Sequence, residues 1–265
     1  MTRTFGVVVG LVAIAAGPAW AQGRDRGWAT ASIGAAISTA GEETRRFEGR
    51  YFGEPFIDQA DYPSPATTWT FDIGGGAWIT DRLGVGVSAA RTTREYDVPV
   101  FITVPFPGRP NAAATARGVT PRFDRVESEV HLHAAWALAS SETLRVRVFA
   151  GPTFFRYQDR LTLGLNASQS TAGGTNVVTI NAVDAEAVSK SAIGAHVGID
   201  GSWFFSRHVG VGGLLRISRG SVDLDEPDPA PPTTPLSNSF VPTHTGDGSV
   251  GVGGVMLGVG LRLRF

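Results

Sequence analysis

Residues 251 to 265 read GVGGVMLGVGLRLRF. Val255, Leu257, Val259, Leu261, Leu263 and Phe265 fall on one face of this stretch, and Met256, Gly258, Gly260, Arg262 and Arg264 on the other. A period of two marks a β-strand with one apolar face, because successive side chains of a strand point to opposite sides. Terminal residues fray unless something ties them down, so a closing aromatic on so regular a strand predicts an end held in a sheet.

The same period recurs upstream. A first strand begins at Trp28, with Ala29, Ala31, Ile33, Ala35 and Ile37 on its apolar face. A second, from about Thr67 to Thr80, sets Trp69, Phe71, Ile73, Ala77 and Ile79 against Asp72, Gly74 and Gly76. Asp81 and Arg82 separate it from a third carrying Leu83, Val85, Val87 and Ala89. The fourth runs from roughly Phe123 to Ala139 and the fifth from Leu144, with Ser140 to Thr143 as the turn between them. The sixth carries Ile193, Val197, Ile199, Trp203 and Phe205. Ser206, Arg207 and His208 then turn into a seventh with Val209, Val211, Leu215 and Ile217. The terminal stretch is the eighth.

Connections alternate between tight turns and long polar segments at about Thr39 to Ala66, Val98 to Arg122, Leu163 to Ala187 and Asp223 to Gly248. Their Pro, Gly, Asn, Ser and Thr content, as in DLDEPDPAPPTTPLSNS, predicts irregular loops. Four such loops are uncommon in a compact soluble domain. Short turns at one end and long loops at the other are the layout of a transmembrane β-barrel.

Two features separate a membrane barrel from a soluble sandwich. The face opposite the aliphatics is built of glycine with isolated charges such as Asp72, Glu127, Arg147, Asp200, Arg216 and Arg262. Glycine weakens a solvent-facing strand, whereas the interior of an eight-stranded barrel has room only for packed side chains. Aromatics also fall in two groups: Trp28, Trp78, Trp136, Trp203, Phe205 and Phe265 near the short turns, and Trp69, Phe71, Phe154, Phe155 and Tyr157 near the long loops. These predict the two interfacial girdles of such a barrel. Trp69 and Ile79 lie ten residues apart on one face, which at roughly 3.3 Å per residue and a tilt near 40° spans about 25 Å.

The chain has 265 residues, 42% hydrophobic, with 34 glycines and no cysteine. Without cysteine there is no disulfide, thiolate metal site or lipid-modified N-terminus. The formal charge of -1 falls by one when Arg3 leaves with a signal peptide, too near neutral for nucleic acid as a partner. Arg3, the apolar run from Phe5 to Ala16 and Ala19-Trp20-Ala21 predict a secretory signal over residues 1–21, cleaved before Gln22, with a barrel domain over 22–265.

These strands resemble the small eight-stranded outer-membrane barrels of Gram-negative bacteria: the OmpA membrane domain, the opacity-like surface antigens and the OmpW-like proteins. The final VGLRLRF resembles the signal read by the barrel-assembly machinery. The resemblance implies an all-β, eight-stranded antiparallel up-and-down barrel in the outer membrane, monomeric, with both termini periplasmic. It implies contact with periplasmic chaperones during export, then with outer-membrane lipids and lipopolysaccharide, and an external ligand at the loops. Nothing follows the barrel, so the wall-binding domain of OmpA is not carried over.

For chemistry, ESEVHLHAAW at 127 to 136 places Glu127, Glu129, His131 and His133 on one face. Metal ligation or acid-base work is one reading. A buried polar network, with Arg145 and Arg147 on the neighbouring strand, is the simpler one. No catalytic, metal or cofactor residue is assigned. His196 joins the inward histidines, none of which has a Ser or Asp at a convincing distance, and Ser189 and Ser191 qualify only by position. His208 lies in a turn, and DLDEPDPAPPTTP lacks the Gly and Glu of a calcium loop. A barrel enzyme acting on lipopolysaccharide acyl chains and a narrow solute pore are the alternatives. A charged interior with Phe149, Phe155 and Met256 predicts a plugged barrel.

Overall fold

A computed structural model describes residues 26–38, 43–51, 54–63, 67–106, 109–172, 175–224, 239–240 and 249–265. The expected signal peptide, its cleavage site and most of the fourth long segment lie outside the described residues. Eight strands form the barrel: β1 (Gly27–Ser38), β4 (Thr68–Trp78), β5 (Leu83–Tyr96), β8 (Phe123–Ser140), β9 (Leu144–Ala172), β10 (Thr175–Phe204), β11 (Val209–Asp223) and β13 (Ser249–Arg264). They close in the order β1-β13-β11-β10-β9-β8-β5-β4, and β4 returns to β1. Every pairing is antiparallel, so each strand meets its neighbour in sequence and the last meets the first. The fold class read from the sequence is the fold observed.

The seam forms where the sequence pattern is most regular. Trp28 faces Arg264, Ile33 faces Val259 and Ser38 faces Gly254 in an unbroken register. Gly27 N donates to Phe265 O at 2.7 Å, and Phe265 N donates back to Gly27 O at 3.1 Å. The terminal aromatic is thus held by both of its backbone bonds.

The barrel is inside out relative to a soluble protein. Trp69 is 75% exposed and Ile193 71%, while Arg262 is 1% exposed. Outward Ile33, Phe71, Val85, Leu132, Val197, Leu257 and Leu261 complete an apolar belt. Water rejects such a continuous apolar surface; hydrocarbon accepts it, provided every backbone group is paired internally, as closure ensures.

The long segments depart from expectation. Instead of irregular loops, the first two hold regular strands, β2 (Glu43–Tyr51), β3 (Glu54–Tyr62), β6 (Pro99–Phe106) and β7 (Arg109–Val119), and the described part of the fourth holds the short β12 (Ser239–Phe240). These pair as a second sheet, β12-β2-β3-β6-β7. The third segment is absorbed into β9 and β10, which run 29 and 30 residues and continue past the belt. The reason is a second apolar row hidden by polar composition. Ala60 and Tyr62 of β3 and Val98, Val100, Ile102 and Val104 at and along β6 are buried against Leu161, Leu165, Ala167 and Val178 of the long hairpin. Burial at about 25 cal/mol per Å² outweighs weak strand propensity.

Four aromatics are also reassigned. Trp28 is buried, and its ring lies 4.8 Å from that of half-buried Trp78, so this pair fills the interior instead of a girdle. Phe155 and Tyr157 likewise point into the core. Trp136, Trp203, Phe205, Trp69, Phe71 and Phe154 do face outward. Inward glycines make room for the rings: a Cβ at Gly76, Gly84 or Gly86 would collide with Trp28, and one at Gly198 with Phe149. Replacing Gly76 by Val is expected to cost on the order of 2 kcal/mol through overpacking. The same change at its outward neighbour Ala77 should be nearly silent, when urea midpoints of the two refolded variants are compared.

Candidate functional site

The inward side chains form three layers between the short-turn mouth and the outer sheet. Nearest the short turns, Asp200 collects charge: Arg262 Nε and Nη2 lie 2.9 and 2.8 Å from Oδ2, Ser202 Oγ donates to Oδ1 at 2.8 Å, and Arg147 Nε lies 3.7 Å from Oδ1. Arg262 also donates to Ser32 Oγ at 2.9 Å, and Arg147 stacks on Trp28 at 4.8 Å. Arg216 donates to Asp72 at 2.6 Å and touches Met256 Sδ at 3.3 Å. All five charged partners are buried, where each would be costly alone.

The middle layer holds the histidines. Thr153 Oγ1 lies 2.9 Å from Nδ1 of both His131 and His196. One hydroxyl has one proton, so it donates to one ring and accepts from the other. His131 Nε2 is 3.2 Å from a Glu129 carboxylate oxygen. Ser218 completes the chain by donating to Glu129 at 3.0 Å. His133 meets His196 edge to face, with ring centroids 5.7 Å apart.

The third layer leads outward. Arg125 donates to Glu127 at 2.8 Å and stacks on Tyr157 at 4.8 Å, while Glu127 accepts from Gly253 N at 3.2 Å. Gly253 has φ of 90°, a left-handed conformation that favours glycine, and a Cβ there would press on Ser218. Tyr157 and Tyr96 both donate to Asp159, at 2.6 and 2.5 Å.

Glu127, Glu129, His131 and His133 therefore do share an inward face as expected, within a polar network. Their partners differ from those expected. Arg147 pairs in register with Ala137 and Arg145 with Ser140, too far along the strand to meet the cluster. Arg147 serves Asp200, and Arg145 stacks on Trp78 at 5.4 Å. Thr153 is the residue that sequence reading missed. Its place in the alternating GPTFF stretch already put it inward, but only the strand pairing reveals two histidines on either side. Ser189 and Ser191 face outward and exposed, away from the histidines. His208 Nδ1 sits 3.0 Å from Arg264 O in its turn. Among the described residues no group of three or more His, Asp or Glu could hold a metal ion.

The interior is filled. Trp28, Phe149, Leu214 and Met256 pack together across it. A cavity of about 20 Å³ lined by Arg94, Glu127, Glu129 and Arg216 has room for roughly one water. Below the plug, a mouth of about 1090 Å³ ends on Trp78 and Phe204.

A closed barrel with an apolar exterior, paired charges within and a folded sheet at its long-loop end is a transmembrane β-barrel of the outer-membrane type. No family model and no curated protein matches the sequence. Among solved structures it is similar to Ail, the attachment invasion locus protein of Yersinia pestis, in complex with the heparin analogue sucrose octasulfate: 12% identity over 89% of this chain and 99% of that one, TM-score 0.38. It is also similar to Neisserial surface protein A, at 10% identity over 90% and 97%, TM-score 0.38. The outer membrane protease OmpT from Escherichia coli matches at 10% over 91% and 97%, TM-score 0.42. These are likenesses of fold, and no ligand or reaction is carried over from them.

In the outer sheet, Asp58 is buried at the interface with β9, where Leu165 N donates to Oδ2 at 3.4 Å. Burial raises its carboxyl to about 7, against the smaller lowering effect of that bond. Burial also raises Asp159, although two tyrosine hydroxyls and Arg160 N oppose the rise. A carboxyl with a raised folded-state pKa holds its proton more tightly when folded, so its stabilisation is full below about pH 4 and lost as pH rises through about 7. After correction for intrinsic rates, amide exchange around residues 57–60 and 100–103 is expected to be slower at about pH 5.5 than at about pH 8. Asp58→Asn should flatten most of that difference.

Removing one member of the buried ion group has a separate consequence. Arg262→Ala leaves Asp200 short of its main partner and is expected to cost about 3 to 5 kcal/mol, read as a fall in the urea midpoint of the refolded protein in micelles. Calorimetric titration with zinc is expected to show no saturable binding, because among the described residues no three His, Asp or Glu side chains converge on one point.

Proposed function

We propose that the protein is a monomeric outer-membrane surface protein, exported by a signal over 1–21, whose role is structural or is carried by its external sheet, with neither catalysis nor conduction. One observation supports this reading most: the interior is filled by a packed apolar plug and by carboxylates paired with arginines, whereas the long segments build a folded head. A pore needs a continuous wet path and the plug opposes one. An enzyme on this scaffold needs a nucleophile or base open to substrate, and the histidine chain is buried beneath the head.

Such a head meets the exterior with a polar face. Thr103 and Thr115 hydrogen-bond across its outer side at 3.1 Å, Arg117 covers Phe101 at 5.4 Å, and Gln59 donates to Asp61 at 2.8 Å. Function carried by segments on a rigid scaffold is the usual arrangement.

The test is a variant in which residues 41–64 and 97–121 are each replaced by a short turn. The variant barrel is expected to keep its faster migration in unboiled gels, while cells carrying it lose whatever surface binding or detergent resistance the full chain confers. Discrete conductance steps from the full chain in planar bilayers, or lipid A of altered mass in overexpressing cells, would replace this reading by the pore or the enzyme.

A further inference from the structure

The apolar belt ends at one row on the side nearest the head. In strand register, Ala89, Val130, Phe154 and Ile193 lie side by side on β5, β8, β9 and β10. Two residues further out, the same outward face presents Arg91, Ser128, Arg156 and Ser191, again side by side. Phe71 of β4 flanks Arg91. The next outward row is Thr93, Val126, Gln158 and Ser189, so neither row contains an acid. Glu95 comes a row later and is already bound to Arg122 at 2.9 Å.

The two arginines are two strands apart, about 10 Å between backbones, with the Ser128 hydroxyl between them. Arg156 is exposed and Arg91 half-exposed, and neither guanidinium has a side-chain partner among the described residues. Arg125, Arg147, Arg216 and Arg262 inside this barrel meet carboxylates; Arg91 and Arg156 are left open, at the level where hydrocarbon gives way to head groups. Guanidinium forks match phosphate oxygens in geometry and charge.

We propose that Arg91, Ser128 and Arg156 form a clamp on the outer wall of the barrel for the phosphate of a lipid head group in the outer leaflet. The lipid's acyl chains lie along Phe154, Val130 and Ile193, and its phosphate accepts hydrogen bonds from both guanidiniums and the serine hydroxyl. The clamp rests on the membrane reading of the belt.

The test uses the full chain refolded in detergent micelles, checked first for the heat-dependent gel shift. It is then offered diphosphoryl lipid A and the dephosphorylated lipid in equal amount, and the retained lipid is counted by native mass spectrometry. The wild type is expected to prefer the phosphorylated form by about tenfold, the size of one charge-assisted hydrogen bond. Arg91→Gln with Arg156→Gln should abolish the preference, and Arg122→Gln should leave it intact. Equal retention by the wild type, or a preference that survives in the double variant, overturns the clamp while the barrel stands. Displacement by millimolar inorganic phosphate overturns the lipid as its occupant. A chain without the gel shift overturns the membrane reading, and the clamp with it.

Discussion

Everything in this molecule follows from the need to pair each backbone N–H and C=O where no water can do so. In hydrocarbon an unpaired peptide group costs several kcal/mol, and an open sheet edge is a row of them. The seam between β1 and β13 removes both edges at once. Its register from Trp28–Arg264 to Ser38–Gly254 is continuous, and the reciprocal bonds of Gly27 and Phe265 finish it. Closure then fixes the number of strands, the number of strands fixes the bore, and the bore decides which side chains fit inside.

That bore is narrow enough to force a choice between water and packing, and this sequence packs. Glycines on β4 and β5 give their space to Trp28, and the aromatic plug turns the remaining charges into a closed society. Asp200 illustrates the economy: it is met by two arginines from β9 and β13 and a serine from its own strand. Breaking such a group is costlier than never having built it, so its value lies in fixing how the strands sit against one another.

Much of this was legible in the sequence. Period-two alternation located the eight barrel strands, their faces and the three tight turns, because in a strand the side of a residue is set by parity alone. Parity also identified the inward glycines and charges. It failed where facing and position diverge. Trp28 and Trp78 lie near the membrane boundary along the strand, as girdle residues do, but their parity is inward. The outer sheet was missed because its apolar rows, such as Ala60 and Tyr62 or Val100 and Ile102, are short and set among residues that favour turns. Their burial depends on the long hairpin of β9 and β10, which they meet only in three dimensions. The partnership of Thr153 with two histidines was hidden for the same reason, since His131 and His196 lie 22 and 43 residues from it along the chain.

The length of that hairpin has a mechanical meaning. Beyond Phe154 and Ile193, β9 and β10 continue outward as a paired ribbon to Ala172 and Thr175, and the second sheet lies against its flank. A pull on the head along the barrel axis passes partly along the backbones that join β5 to β6 and β7 to β8, and partly by shear across an apolar interface into the ribbon. From there it runs down two covalent backbones into the wall of the barrel. The load stretches those backbones lengthwise and does not peel their hydrogen bonds apart one after another. The ribbon therefore braces the head, sharing with the short connections from β5 to β6 and from β7 to β8 the load that reaches the barrel.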